Sequence, residues 1–330
     1  MYKRQVLGYA DALHPKRYAR TQALDLVLRA REHPGTPFFL ILDEMNLSHV
    51  ERYFADVLSS IESGEPIHLY DDSGEERELL RDGVPQTIKL PDNLFTVGTV
   101  NVDETTYMFS PKVLDRANTI EFGVDETQLE AFLSSPSGID LTKLRGKGVQ
   151  FARTFFEASR EPNATSAPEI QARVNDELRL FFHVMAGHGY EFGYRTALEI
   201  TRFVRHHQRL SSRNWTLEDA MDAQIYQKLL PRLNGSRARL EPVLRSLSVL
   251  CSAERQWEIG HNPSPQLLNR GQLITQANSA GNSTQFSSIE ALSNDDSMPA
   301  KPPVYPLSMA KIQRMYRLLR QNGFTSFAEA

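Results

Sequence analysis

The sequence predicts an α/β fold in its first part, a parallel sheet flanked by helices, followed by an all-helical region. Three observations carry that prediction. Phe38-Phe39-Leu40-Ile41-Leu42 is an unbroken apolar run, the pattern of a strand buried on both faces as in a parallel sheet. A similar pattern returns over residues 93–100 after an intervening helical stretch. From residue 126 to about 255 the apolar spacing is mostly helical and strand patterns are absent.

Taken in order, residues 21–31 read as a helix that Thr21 can cap, with Leu24, Val27 and Leu28 on one face. Pro34-Gly35 breaks it before the first buried strand. Ser48 and Glu51 then have capping-box spacing. Val50, Tyr53, Phe54, Val57, Leu58 and Ile61 form an apolar helical stripe that Gly64 ends. Residues 66–90 read as an inserted β-hairpin, with arms at 67–70 and 86–90 and an acidic connection over 71–76. That connection reads as a solvated loop, or as a pore-facing or partner-facing one. After the second strand, Ser110-Pro111 opens a short helix carrying Lys112, Val113, Leu114, Asp115 and Arg116. Thr119-Ile120-Glu121-Phe122 reads as a third, edge-like strand.

In the helical part, residues 187–193 interrupt, and helices are expected over 194–210 and 217–230. Residues 258–303, rich in Asn, Ser, Gln and Pro, read as a disordered linker or insertion. A last helix follows, with Met309, Ile312, Met315, Tyr316 and Leu319 on one face and Gly323 as its stop. The expected organisation is an α/β part over 1–124, a helical part over 125–257, the linker, and a C-terminal helix within 304–330.

Composition narrows the function classes. The 330 residues suit two domains, or one with a large appendage, and 37 Lys and Arg against 41 Asp and Glu leave a formal net charge of -4. That balance argues against a chain that binds nucleic acid over its whole surface. The one cysteine, Cys251, excludes a disulfide framework and a cysteine-based metal site and suits a reducing cytoplasm. No apolar run nears the ~18 residues of a membrane span, and residues 1–14 lack the apolar core of a signal peptide.

The chemistry-bearing pattern begins where the first buried strand ends, at Asp43-Glu44. Open α/β sheets bind ligands outside the carboxyl ends of their strands. Two adjacent acids there are either solvated or used by a cation or a reaction. In P-loop NTPases this is the Walker B arrangement, in which the Asp helps to hold Mg²⁺ and the Glu acts as general base toward the attacking water. No G-x-x-x-x-G-K-[ST] loop occurs in the chain. The phosphate-cradling half of such a domain is therefore expected upstream, Met1 is not expected to be the biological start, and the fragment alone is expected to be inactive.

Asn101, just past the second strand, is either a turn residue or an amide that positions the attacking water. Arg116 can pair locally with Asp115 or Glu121, or reach a neighbour's γ-phosphate as an arginine finger does in ring ATPases. Arg195, at the helix start Gly193-Tyr194-Arg195, is a surface arginine or a phosphate contact. Arg202, Arg205, His206, His207, Arg209 and Arg213 form a basic cluster, read as a solvated face or a DNA contact. His206 and His207 point about 100° apart on a helix, and His183 and His188 lack zinc-site spacing, so no zinc is expected.

Together, Asp43-Glu44-Met45-Asn46-Leu47, the block from Thr99 to Thr106 and Val113-Leu114-Asp115-Arg116 resemble the AAA+ ATPases of the McrB type, related to the MoxR and dynein branch. Gly193-Tyr194-Arg195 with Glu199-Ile200 is similar to that family's sensor-2 region, and residues 227–236 resemble its lid segments. The likeness covers about residues 6–250. It implies a partial AAA+ P-loop NTPase core with an all-α lid, and Mg²⁺ with ATP or GTP as cofactor and substrate. Asp43 becomes the metal ligand, Glu44 the base and Asn101 sensor 1. Arg116 becomes the finger acting in trans and Arg195 the lid sensor. It also implies a homo-oligomeric ring and a nuclease partner like McrC, with DNA translocated through the complex in a restriction or antiphage system. The chain departs from the Met-Asn-x-x-Asp signature of McrB, with Val100 in place of Met and Glu104 in place of Asp, so the choice between ATP and GTP stays open. A MoxR-like ATPase that remodels proteins and a degenerate AAA scaffold are the rival readings.

Overall fold

The computed structural model describes residues 6–11, 13–14, 17–70, 82–101, 107–136, 138, 140–160, 167–211, 214–252, 275, 279 and 302–330. The acidic connection 71–76, residues 102–106, Arg213 and nearly all of the expected linker lie outside them. Two units divide the chain, Met1–Val113 with Phe122–Pro162, and Leu114–Glu121 with Asn163–Ala330. This differs from the break expected after residue 124. Residues 125–162 group with the first unit, residues 114–121 with the second, and the last helix joins the second unit's core.

The first unit opens with a short antiparallel pair, β1 (Tyr9–Ala10) and β2 (Tyr18–Ala19). Helix α1 (Gln22–Glu32) starts as expected, with Thr21 Oγ1 accepting from the Leu24 amide. Leu24 and Val27 on its inner face are fully buried, each worth about 1.5–3 kcal/mol relative to exposure. The C-terminal turn of α1 leaves carbonyls without helical partners. Asn93, 1% exposed, takes up that region, its Nδ2 donating to Ala30 O and His33 O at 2.9 Å and to Thr36 O at 2.7 Å.

Strand β3 (Phe38–Leu42) pairs in parallel with a later strand over residues 94–98, Phe38 opposite Leu94 and Leu42 opposite Gly98. Among the described residues this parallel sheet has two strands. The expectation of burial on both faces of β3 is corrected: Leu40 is buried, but Phe39 and Ile41 on the other face are 47% and 64% exposed. That face is partly covered, because the Phe155 ring lies 5.7 Å from Phe39 and 4.8 Å from Phe95.

The apolar stripe after β3 forms two helices, α2 (Val50–Tyr53) and α3 (Ala55–Ser63). The Ser48–Glu51 capping box does not form: His49 occupies the cap and Glu51 Oε1 accepts from the Ser110 amide at 3.0 Å. Gly64 ends α3 at φ +71°, a left-handed conformation that glycine adopts without a Cβ penalty. The hairpin arms pair as β4 (Ile67–His68) with β5 (Thr87–Ile88), burying Ile67 and Ile88. The later parallel strand is β6 (Leu94–Gly98), and α4 (Pro111–Leu114) follows it. The edge strand expected over Thr119–Phe122 is absent. Its apolar residues Ile120 and Phe122 are 66% and 93% exposed, and polar bonds fix the segment instead. Thr119 N–H donates to Gln227 O at 3.0 Å, and Glu121 accepts from Lys311 Nζ at 2.6 Å. Helices α5 (Glu126–Ser134) and α6 (Ala152–Arg160) complete the unit.

The second unit packs α7 (Pro168–Gly187), α8 (Tyr194–Leu210), α9 (Leu217–Gln224), α10 (Arg237–Cys251) and α11 (Pro306–Asn322) around Phe181, Ile200, Met221, Leu244, Ile312 and Met315. It is not purely helical, which corrects the expectation that strands are absent. β7 (Asn234–Ser236) pairs antiparallel with β8 (Phe324–Ser326). Helix α11 is gripped at its start by Asp222, whose carboxylate accepts from the Leu307 and Ser308 amides at 2.8 and 2.9 Å. The Tyr305 hydroxyl donates to Glu177 at 2.9 Å. Among the described residues no helix is long and apolar enough to cross a membrane.

Candidate functional site

In the first unit the parallel register decides what meets at the strand ends. Because Leu42 faces Gly98, the next residues, Asp43 and Thr99, come side by side. Thr99 Oγ1 accepts from the Glu44 amide at 2.8 Å and donates to Asp43 Oδ1 at 2.5 Å. The ladder runs on through Met45 N–H, which donates to Thr99 O at 2.9 Å. Gly98 leaves room for this turn, since a Cβ there would fall 1.9 Å from Met45 Sδ.

Glu44 itself is left-handed, with φ and ψ both 47°. A non-glycine residue held there is strained and persists only where its surroundings fix it. Asn101 Nδ2 donates to Glu44 Oε1 at 2.9 Å. Buried Asn46 holds the Asn101 backbone in turn, its Nδ2 donating to Asn101 O at 2.9 Å. Three predicted residues, Asp43, Glu44 and Asn101, therefore share one polar cluster. Asp43 and Glu44 are exposed, so the desolvation cost inferred for them from sequence does not arise on this surface. Sequence reasoning gave no role to Thr99 or Asn46.

Among the described residues no group of three His, Cys, Asp or Glu side chains could cage a metal. Asp43 presents a single exposed carboxylate there, with Oδ1 accepting from Thr99 Oγ1.

The two predicted arginines lie in the second unit, in neighbouring segments. Lys228, with a fully buried side chain, donates to Asp115 O at 3.1 Å, to Ala117 O at 2.9 Å and to the Glu199 carboxylate. Arg232 pairs with Asp115 and donates to Thr196 Oγ1 at 3.0 Å. Residues 115–117 are thus fixed against the first turns of α8. Burial pulls the Arg116 guanidinium below its ordinary pKa, the Arg195 charge adds to that, and Glu199 opposes it. Burial likewise lowers Lys228, against the hydrogen bond and charge of Glu199. Asp115 pairs with Arg232, and Glu121 with Lys311. Of the basic cluster, Arg202, Arg205, His206, His207 and Arg209 lie on α8, where His207 Nδ1 accepts the Trp215 indole N–H at 2.9 Å.

A family model, the domain of unknown function DUF8727, matches residues 149–324, just over half of the chain. The chain belongs to this family. The DUF8727 match holds Arg195, Glu199, Lys228 and Arg232, while Asp43, Glu44, Asn101 and Arg116 precede it. No curated protein and no solved structure matches the chain.

Proposed function

We propose that this chain carries catalytic residues of an AAA+ nucleoside triphosphatase of the McrB type. The observation that carries the reading is the 2.9 Å bond from Asn101 Nδ2 to Glu44 Oε1, made where two adjacent parallel strands end. In this reading Glu44 accepts a proton from the attacking water as its oxygen bonds to the γ-phosphorus and the bond to the β–γ bridging oxygen breaks. Asn101 orients the Glu44 carboxylate, and Thr99 fixes the Asp43 carboxylate beside it. Mg²⁺ held by Asp43 would neutralise phosphate charge. By the resemblance alone, Arg116 would act in trans as the finger and Arg195 as the lid sensor.

ATP or GTP as substrate, a homo-oligomeric ring, a McrC-like nuclease partner, translocated DNA and a cytoplasmic setting belong to this proposal through the resemblance. The test is Glu44→Gln in the assembled protein. Nucleotide binding is expected to persist while turnover falls by about 10²-fold or more. Unchanged turnover would remove Glu44 as the base.

A further inference from the structure

We infer that Asn46 is a positioning residue: its side-chain amide extends the strand pairing one rung past the sheet and thereby sets the Asn101 amide against the Glu44 carboxylate. The inference rests on the proposed NTPase reading only for the reaction that Glu44 serves.

The rungs can be followed along the strand ends. Thr99 N–H donates to Leu42 O at 2.9 Å, and Met45 N–H donates to Thr99 O at 2.9 Å. The next rung falls at Asn101. There the facing chain has wound into the turn Met45–Leu47, closed by Leu47 N–H on Glu44 O at 3.0 Å. A side chain makes that rung instead, Asn46 Nδ2 donating to Asn101 O at 2.9 Å. Asn101 Nδ2 in turn donates to Glu44 Oε1 at 2.9 Å. Asn101 is thus held at two points, its carbonyl by Asn46 and its side chain by Glu44.

The two points differ in kind. Glu44 and Asn101 are exposed, so water competes for the bond between them and that bond alone holds neither group firmly. Asn46 is 3% exposed, and its turn is braced from two sides. The Tyr53 hydroxyl of α2 donates to Met45 O at 2.9 Å, and Tyr107 N–H donates to Asn46 O at 3.0 Å. The Tyr107 ring also lies 4.0 Å from that of His49. Among the described residues the buried Asn46 Oδ1 has no hydrogen-bond partner. Such an acceptor costs stability, and an apolar side chain of similar shape would avoid that cost. What explains a polar residue here is its donor end, and that end serves Asn101.

NMR of the full chain with isotope-labelled asparagine tests the geometry without turnover. Loss of a signal in Asn101→Asp assigns the Asn101 side-chain amide, and Glu44→Ala marks the position of that signal when the amide is unbonded. A folded Asn46→Leu is expected to move the Asn101 signal to the unbonded position although Glu44 and Asn101 both remain. A signal that stays at the parent's position overturns the inference. Should Asn46→Leu fail to fold, Asn46→Ala takes its place. Should neither fold, solvent exchange of the Asn46 side-chain amide in the parent decides: protection is expected, and exchange as fast as an exposed asparagine overturns the inference. In the assembled protein, with turnover counted per nucleotide-binding site so that unfolded chains do not enter, Asn46→Leu is expected to lower kcat about 10-fold or more and to leave KM within about twofold. An unchanged kcat overturns the positioning role. Failure of the NTPase reading shows separately, as unchanged turnover in Glu44→Gln while the Asn101 signal still depends on Asn46.

Discussion

Replacing Glu44 by glycine and, separately, by alanine parts the backbone strain at this position from its carboxylate chemistry. Both variants lose the bond from Asn101 to the carboxylate, so that loss cancels between them. What differs is the Cβ at φ 47° and ψ 47°. A left-handed residue with a Cβ bears about 1–2 kcal/mol of strain that glycine does not. Glycine elsewhere costs about 0.5–1 kcal/mol relative to alanine, through the entropy of its unfolded chain. The balance favours Glu44→Gly over Glu44→Ala by about 0.5–1 kcal/mol, the reverse of the usual order. Urea unfolding of the first unit, followed by circular dichroism, reads this as a midpoint higher by about 0.3–0.5 M at an unchanged slope of about 2 kcal/mol per M. Alanine as stable as glycine would mean that the Thr99 bonds do not enforce the turn in solution. Under the proposed function neither variant would support hydrolysis in the assembled protein, since both lack the carboxylate.

Two further tests address the scaffold. Asn93→Ala strips the donor from three carbonyls at the end of α1 and should cost about 2–4 kcal/mol in urea unfolding of the first unit; a loss below about 0.5 kcal/mol would mean that water replaces the amide. Burial pushes the Glu121 carboxyl up, but hydrogen bonds from Lys311 and Tyr226 and the charges of Lys311 and Arg314 outweigh it and hold its pKa below the ordinary 4.5. Its contribution to the second unit is then complete above that value and is lost as pH falls through the folded pKa. Glu121→Gln should flatten the acid limb of the stability profile, and an unaltered slope below pH 4.5 would contradict the pairing.

Local signals were readable where one segment determines its own structure. Thr21 announces α1, Gly64 and Gly323 stop their helices at positive φ, and the apolar runs of β3 and β6 stand where the pattern puts them. What failed depends on distant partners. Asn234-Gly235-Ser236 has little strand propensity, and its partner lies about 90 residues on at Phe324–Ser326. Ile120 and Phe122 mimic strand alternation, yet Gln227 and Lys311 tie their segment down. The role of Thr99 follows only from the β3–β6 register, which one sequence does not supply. Lys228 reads as an ordinary helix lysine until Asp115, Ala117 and Glu199 close over it.

The grip on α11 bears on how that helix can come loose. Asp222 seizes the helix where it begins, and the β7–β8 pair secures the strand just beyond its end. The helix is thus pinned at both ends, so loosening one end leaves the other docked.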